Sequence, residues 1–264
     1  NQFPGMTPSK LKEGMRMLGF ADVEEVAIGA DLCTIDEAKD FMEEVPSKHP
    51  FMGTSCCPAW SVMAKKLFPE YADCISMTMT PMVLTARLIK KDHPDSRICF
   101  VGPCSAKKLE ASRRSVRSEV DFVLTFEELM GLFEAKEVDF TSLQDNPDDS
   151  FNSASADARG FAASGGVAQA VVNAIKKIDP DREVKVASAQ GLADCRKMMT
   201  MAKAGKYNGY LLEGMACPGG CIAGAGTLAD PAKSAAMLNK YKNEAKMKNA
   251  TETPYKDSIG LLKY

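Results

Sequence analysis

The sequence predicts an α/β fold made of two lobes, each a small, mostly parallel twisted sheet flanked by helices. Three observations carry this. Short apolar or β-branched runs alternate with stretches of helical period, the pattern of strands alternating with helices. A stretch rich in Ser, Asp, Asn and Gly, SLQDNPDDSFNSASADARGFAASGG (142–166), divides the chain and reads in part as loop. Cysteine motifs fall just after the predicted strands, where open α/β sheets gather their ligands. Lobe one is expected over about 1–145 and lobe two over about 155–230. A C-terminal helix and tail return over about 231–264, and the 264 residues suffice for one large domain or for two lobes.

The elements follow in chain order. VEEVAIG (23–29) reads as a strand, with a helix from about Thr34 that Thr34 or Asp36 would cap. FMGTSC (51–56) is a short strand running into PAWSVMAKKLF, where Pro58 suits a first helical turn. SRICFVG (96–102) reads as a buried strand, and SAKKLEASRR starts a helix or turn after Cys104. DFVLT (121–125) leads into the helix FEELMGLFEA, and VKVASA (184–189) into GLADCRKMMTMAKAG. NGYLLEGM (208–215) is the last strand, and Pro231 to about Lys248 an amphipathic helix with its charge at the surface. No internal repeat stands out.

Composition excludes several classes. The chain is 45% hydrophobic and 26% charged, ordinary for a globular protein, and its net charge of −2 gives no case for binding nucleic acid. The basic run at Arg113, Arg114 and Arg117 reads as a solvated helix face. No apolar stretch approaches the ~20 residues that span a bilayer and no signal-peptide pattern opens the chain, so a cytoplasmic location without a membrane partner is expected. The sequence begins at Asn1 without a methionine and is expected to be a processed or cut-down piece of something longer.

Nine cysteines are the unusual figure, and their odd number in a chain of this size without a secretion signal argues against a disulfide framework. Cys33, Cys74, Cys99 and Cys195 read as small buried hydrophobes, and most of the sixteen methionines as core filler. The others cluster in TSCCPAW (Cys56, Cys57), VGPCSAKKLE (Cys104) and EGMACPGGC (Cys217, Cys221). Cys217 and Cys221 alone would suit a disulfide, a zinc ion, an iron–sulfur site or a reactive thiol. Zinc draws four Cys or His ligands, and the two histidines, His49 and His93, each precede a proline in a hydrophilic loop and look exposed. A 4Fe–4S cubane takes four thiolates and fits three converging motifs better, leaving one thiol of the Cys56–Cys57 pair over. Gly219, Gly220, Gly224 and Gly226 would let backbone N–H groups approach a polyanionic cluster. Ser105 and Lys107 follow Cys104 at a helix start, where the dipole favours negative charge. The metal site is expected in the crevice between the lobes.

TSCCPAW, PCSAKKLE and E-x-MACPGGC-x-x-G resemble, in order, the three signature motifs of the FeFe-hydrogenase catalytic domain. The resemblance runs from about Gly29 to Tyr264 and includes FAASGGVAQAV and the closing LLKY. It implies an H-cluster: a 4Fe–4S cubane joined to a two-iron subcluster that carries CO, cyanide and an azadithiolate. On that mapping Cys57, Cys104, Cys217 and Cys221 hold the cubane, and Cys221 bridges to the two-iron part. Cys56 falls on the proton-shuttling thiol, whose pKa nearby charge could draw toward neutrality. Lys107 falls on a lysine that hydrogen-bonds a cyanide, and Met215 and Phe161 on residues lining the same pocket. Ser55, Gly102 and Pro103 flank the motifs as further cofactor-binding positions. Glu37 and Asp40, in TIDEAKD, occupy the places of two relay carboxylates, with Ser76 a hydroxyl link; for Asp40 a solvated helix face is the favoured reading.

The resemblance implies reversible heterolytic oxidation of H2, releasing protons through Cys56 and electrons through the cubane. It implies as partners an electron carrier such as ferredoxin or a separate iron–sulfur domain, together with cofactor maturation proteins. Two departures point to a slow enzyme of the sensory or regulatory branch: Gly102 where fast members have methionine, and GAGTL where many have GGGQP. Accessory N-terminal iron–sulfur modules and an initial strand are also missing from the sequence. The alternative is a hydrogenase-like iron–sulfur protein without a two-iron site, similar to the prelamin-A-recognition-factor type and acting in cluster assembly or as a scaffold. A third reading is a sensory module that binds H2 at the same site.

Overall fold

The computed structural model describes residues 2, 3, 5–146, 149 and 151–262, and, of Leu261, the backbone only. Lys263 and Tyr264 of the LLKY ending lie outside the described residues. In chain order the helices and strands are α1 (Pro8–Met17), α2 (Ala27–Glu44), β1 (Met52–Gly53), α3 (Pro58–Leu67), α4 (Pro81–Asp92), β2 (Cys99–Val101) and α5 (Ala106–Ser112). There follow β3 (Phe122–Leu124), α6 (Phe126–Ala135), α7 (Ala156–Gly160), α8 (Gly166–Ile178), β4 (Lys185–Gln190), α9 (Leu192–Lys203), β5 (Tyr210–Met215), α10 (Pro231–Asn243) and α11 (Ile259–Leu262).

Both sheets are parallel and flanked by helices, as the alternating pattern predicts. One has the order β1-β5-β4 and the other pairs β2 with β3. Strand β1 comes from the first half of the chain yet joins β5 of the second, with Met52 opposite Leu211 and Gly53 opposite Leu212. Alternation along β5 places its neighbours in two separate cores. Leu211 packs with Phe41, Ala174 and Ile175, whereas Leu212 packs with Trp60, Met199 and Cys195. Helix α6 begins where its capping box puts it: Thr125 Oγ1 accepts the Glu128 N–H at 3.1 Å and Glu128 Oε2 accepts the Thr125 N–H at 2.8 Å.

Five expectations are corrected. Residues 23–29 form no strand, because α2 already starts at Ala27. Thirteen of its eighteen residues are buried, so no polar stripe betrays a helical period. Thr34, read as a cap, sits inside this helix and donates to the Ala30 carbonyl at 2.8 Å. The strand β2 is only half-buried, since a two-stranded sheet leaves it little cover. Arg113, Arg114 and Arg117 are exposed but lie after α5, which ends at Ser112 because Arg113 is extended (ψ 115°), and Arg117 takes a left-handed φ of 47°. Helix α10 stops at Asn243 rather than near Lys248, and Lys248 Nζ folds back onto the Asn243 and Ala245 carbonyls at 2.9 and 2.7 Å.

Candidate functional site

The first and third cysteine motifs leave the carboxyl ends of two adjacent parallel strands. After β1, Thr54 continues the ladder through its N–H to the Leu212 carbonyl at 2.9 Å, and Trp60 Nε1 donates to the Thr54 carbonyl at 3.0 Å. The turn so pinned puts Cys57 at the N-cap of α3, with Pro58 in its first turn. After β5, the Ala216 N–H donates to Cys57 Sγ at 3.5 Å, which joins the two motifs directly. The second motif leaves β2 and is tied to the third: the Gly226 N–H donates to the Pro103 carbonyl at 2.9 Å.

The turn between Cys217 and Cys221 is held from three sides. Gln190 Oε1 accepts the Gly219 N–H at 2.6 Å, the Gly219 carbonyl accepts the Ser164 N–H at 3.1 Å, and the Ala162 carbonyl accepts the Ile222 N–H at 3.0 Å. The 162–166 loop that supplies two of these contacts is itself fixed by Glu213. Its fully buried carboxylate, on β5, accepts the N–H groups of Gly165 and Ala168 at 2.6 and 2.7 Å and so caps α8 from outside the helix. Sequence reasoning missed Glu213; its signal was an acidic residue inside an otherwise apolar strand.

Gly220 shows why the motif carries glycines. Its φ is 90°, and a Cβ there would stand 2.5 Å from the Ser164 nitrogen and 2.8 Å from the Ala163 carbonyl carbon, backbone atoms that cannot swing away. Gly220→Ala is therefore expected to cost about 2–4 kcal/mol in the metal-free protein, read as a lower denaturation midpoint. An unchanged midpoint would mean that the turn is not held against the 162–164 loop.

Cys57, Cys104, Cys217 and Cys221 lie within electrostatic reach of one another. Burial pushes the Cys221 thiol up to about 12, and Cys57, Cys104 and Cys217 add to the rise while Lys107 opposes it. Burial, then Cys104 and Cys57, also raise Cys217. All four remain unpaired as cysteines. Among the described residues no three His, Cys, Asp or Glu side chains are grouped as the ligands of one metal ion, so the four thiols, called the cage below, are not arranged as a single-ion tetrahedron. A soft donor set of four converging thiols, with a buried cation beside it, fits a polyanionic iron–sulfur body. Of the histidines, His93 is exposed as expected, but His49 is half-buried with its Nε2 3.9 Å from Glu44.

The spare thiol, Cys56, is half-buried and packs against the apolar cluster that contains Phe161, Met215 and Cys33. Lys107 is buried next to it: Nζ donates to Glu110 Oε2 at 2.6 Å and to the Cys56 carbonyl at 3.3 Å. Burial opposes its charge, but Glu110 outweighs burial through charge and hydrogen bond and raises the pKa. Two of the three ammonium donors are thus named, and the third suits an anion in the cage. The expectation that charge lowers the Cys56 pKa is not met by the protein groups. Burial pushes it well up, and Glu37 and the neighbouring thiols push the same way. Cys33, Cys74 and Cys195 are buried as read, and Cys99 is half-buried.

Helix α2 carries the carboxyl that faces this thiol. Glu37 is 0% exposed, and its Oε1 accepts both the N–H and the O–H of Ser55, at 2.7 and 2.9 Å. Burial raises its pKa from 4.5 to about 7, Ser55 counters the rise, and the nearby Ser76 hydroxyl counters it further. Glu37 Oε2 has no hydrogen-bond partner within normal reach. Asp40 is not on a solvated face: it is half-buried and accepts from Thr78 Oγ1 at 3.2 Å. Asp36 is 4% exposed and accepts from the same hydroxyl at 3.1 Å.

A second α2 carboxyl, Asp31, is also fully buried; burial raises its pKa from 3.8 to about 7 against hydrogen bonds from Ser155. In the unfolded chain these two acids lose their protons near pH 4, whereas the folded protein keeps them to about pH 7. The folded state binds more protons across that window, so stability falls as pH rises from about 4 to about 7. Carboxylates held low, such as half-buried Asp121 by the Ile98 N–H and Arg97, titrate below it. The metal-free protein should thus melt at a higher temperature near pH 5 than at pH 8, and Glu37→Gln should flatten that dependence. A Tm that climbs from pH 5 to pH 8 contradicts the burial of both acids.

Of the two departures in the motifs, one is superficial. In GAGTL, Ala225 is exposed, while Gly224 and Gly226 remain packed against Pro103 and Thr125. Gly102 is different. It is buried, and a Cβ there would lie 2.7 Å from the Phe100 ring, so Phe100 occupies the space that a side chain at 102 would need.

Comparison with known proteins gives the family and the fold. Residues 2–225 match the family described as iron only hydrogenase large subunit, C-terminal domain. The chain is 28% identical over 274 residues to the periplasmic Fe hydrogenase large subunit of Nitratidesulfovibrio vulgaris, covering 88% of this chain and 65% of that protein. It is 26% identical over 257 residues to iron hydrogenase 1 of Clostridium pasteurianum, covering 82% of this chain and 45% of that one. A cytosolic Fe-S cluster assembly factor of Danio rerio is 27% identical over 269 residues, covering 83% and 66%. The chain thus spans about half to two-thirds of the length of these curated relatives. In structure, an FeFe-hydrogenase of Chlamydomonas reinhardtii superposes with a TM-score of 0.75 at 22% identity, over 97% of this chain and 83% of that one, which supports the fold. The chain belongs to the family formed by the C-terminal domain of iron only hydrogenases.

Proposed function

We propose that this domain carries out the reversible heterolytic oxidation of H2 at an H-cluster. The observation that carries the reading is the buried group beside the four-thiol cage: Cys56, Glu37 with a pKa of about 7, and Lys107. A protein that only stores or passes on a cubane has no need of a spare thiol facing a buried carboxyl poised near neutrality. Cys57, Cys104, Cys217 and Cys221 would hold the cubane, with Cys221 shared with the two-iron subcluster. When bound, the cofactor supplies the site of H2 cleavage and the outlet for electrons.

The protein's own groups do the rest. Cys56 holds a proton at Sγ and passes it to Glu37. Oε1 of that carboxyl is engaged by Ser55, so Oε2, which lacks a partner, is the oxygen that receives it. Ser76 is the hydroxyl beyond. Lys107, held by Glu110, would offer its remaining N–H to a cyanide of the cofactor, and a buried cation would offset part of the cost of burying that anion. Met215 and Phe161, 2% and 8% exposed, keep water from the site. Gly102, with Phe100 over it, supports the reading of the chain as a slow, sensory or regulatory member. Electrons would leave to a carrier such as ferredoxin or to a separate iron–sulfur module, and maturation proteins would load the cofactor. Relatives named as cytosolic assembly factors support a cytoplasmic setting, and no described helix is long and apolar enough to cross a membrane.

Infrared spectroscopy on protein loaded by the maturation system tests this directly. CO and cyanide stretching bands, together with the paramagnetic signature of a cubane, are the expected result. A cubane without those bands would favour the second reading, iron–sulfur cluster assembly or scaffolding, which the relatives named as assembly factors support.

A further inference from the structure

Helix α8 begins without a cap of its own. Its N-cap is Gly165, at a left-handed φ of 87°, which has no side chain to accept an orphan N–H. The acceptor comes from another element: Glu213 on β5 takes the Gly165 N–H on Oε1 at 2.6 Å and the Ala168 N–H on Oε2 at 2.7 Å. Burying a carboxylate completely is an expensive way to start a helix that a local Ser or Asp could cap, so the place of Glu213 calls for a second purpose. The neighbours of Gly165 supply it. Ser164 donates its N–H to the Gly219 carbonyl at 3.1 Å, and the Ala162 carbonyl accepts the Ile222 N–H at 3.0 Å, so this loop grips the Cys217–Cys221 turn on both halves. The strand that carries Glu213 also delivers Cys217, four residues later. One carboxylate therefore closes a circuit of strand, loop and turn. It also stands at the positive end of a thirteen-residue helix and neutralises it.

We infer that Glu213 is a positioning residue for the iron–sulfur cubane, holding the Cys217–Cys221 turn in place and setting the field on that side of the cage. The inference rests on the proposed cubane ligands and is independent of the H2 chemistry. Glu213 acts through the backbone of residues 162–165, not through the thiols themselves. Its field has a definite sign. A cluster gains negative charge when it is reduced, and an ionised carboxylate nearby opposes that gain. Removing the charge, and uncovering the positive helix end behind it, both favour the reduced cluster.

The test uses Glu213→Gln, which keeps the size, removes the charge and can still accept one of the two N–H groups. Val171→Ala, which loosens the same helix within the core of Phe41, Ala174 and Leu211, is the control for a general loss of stability. In metal-free Glu213→Gln, amide hydrogen exchange at Ser164 and Ile222 should quicken about tenfold or more. A cubane assembled from iron and sulfide should be lost to a chelator about tenfold faster than from wild type, and its reduction potential should move upward. Val171→Ala should lower the denaturation midpoint and leave both cluster readings at their wild-type values. Glu213→Asp, which keeps the charge on a shorter arm, serves if the Gln variant does not fold; it should lose the cubane faster with a smaller upward move of the potential. Unchanged loss rate and potential in Glu213→Gln would overturn the inference. Equal changes in Val171→Ala would make Glu213 a part of the fold alone and overturn it as well. Wild-type protein that assembles no cubane would sink the ligand assignment and the purpose given to Glu213, while the exchange result would still report the clamp.

Discussion

Cys56→Ala should leave both iron sites loaded and lower H2 turnover by at least ~100-fold, the scale on which a positioned acid or base is lost. That factor corresponds to about 2.7 kcal/mol of transition-state stabilisation. Removing the thiol deletes one small, half-buried group from an otherwise intact wall of Phe161, Met215 and Cys33, so folding should suffer little. Glu37→Gln provides the companion result. The amide oxygen can still accept from Ser55, but the group can no longer take a proton at the position of Oε2. If both variants lose turnover to a similar degree, and the double variant loses no more than either alone, the two act in series. Turnover preserved in Cys56→Ala, with iron content and infrared bands unchanged, would remove the thiol from the mechanism.

The candidate cluster-binding residues were readable because their chemistry is repeated: five cysteines in three short motifs, each behind a strand, can be recognised without tertiary information. The strands themselves were readable as apolar runs. What surrounds the site was harder. Helix α2 is buried on nearly every face, so AIGADLC merges with the run before it and mimics a strand. Asp40 looked like part of a solvated face because TIDEAKD has the composition of one. Only the packing of α4, α7 and α8 around α2 shows that Asp31, Asp36 and Glu37 are inside. Glu213 and Thr78 were overlooked for a related reason. Their contacts are to partners 45 and 42 residues away, and no local pattern encodes such distances.

Lys107→Met should prove costly even before any metal is present. The ammonium is paired with Glu110 one turn along α5, both are buried, and Thr80 Oγ1 adds a donor to the same carboxylate oxygen at 3.3 Å. Removing one partner of such a pair leaves an uncompensated charge in a poorly solvated place, at a cost of about 3–5 kcal/mol. Replacing both by apolar groups of similar volume removes that penalty, so Lys107→Met/Glu110→Leu should recover to within about 1 kcal/mol of wild type in metal-free protein. Cofactor loading separates the electrostatic role from the packing role. The double variant should fold well and still fail to retain the two-iron subcluster, because the cyanide would lose its N–H donor and its nearby cation. Glu110→Gln should behave in the opposite way, destabilised without metal yet able to load, since the cofactor's negative charge takes over the counter-ion role for Lys107. Denaturant titration of the metal-free set, with infrared band intensity after loading, reads both halves. A double variant that loads normally would show that Lys107 serves the fold alone.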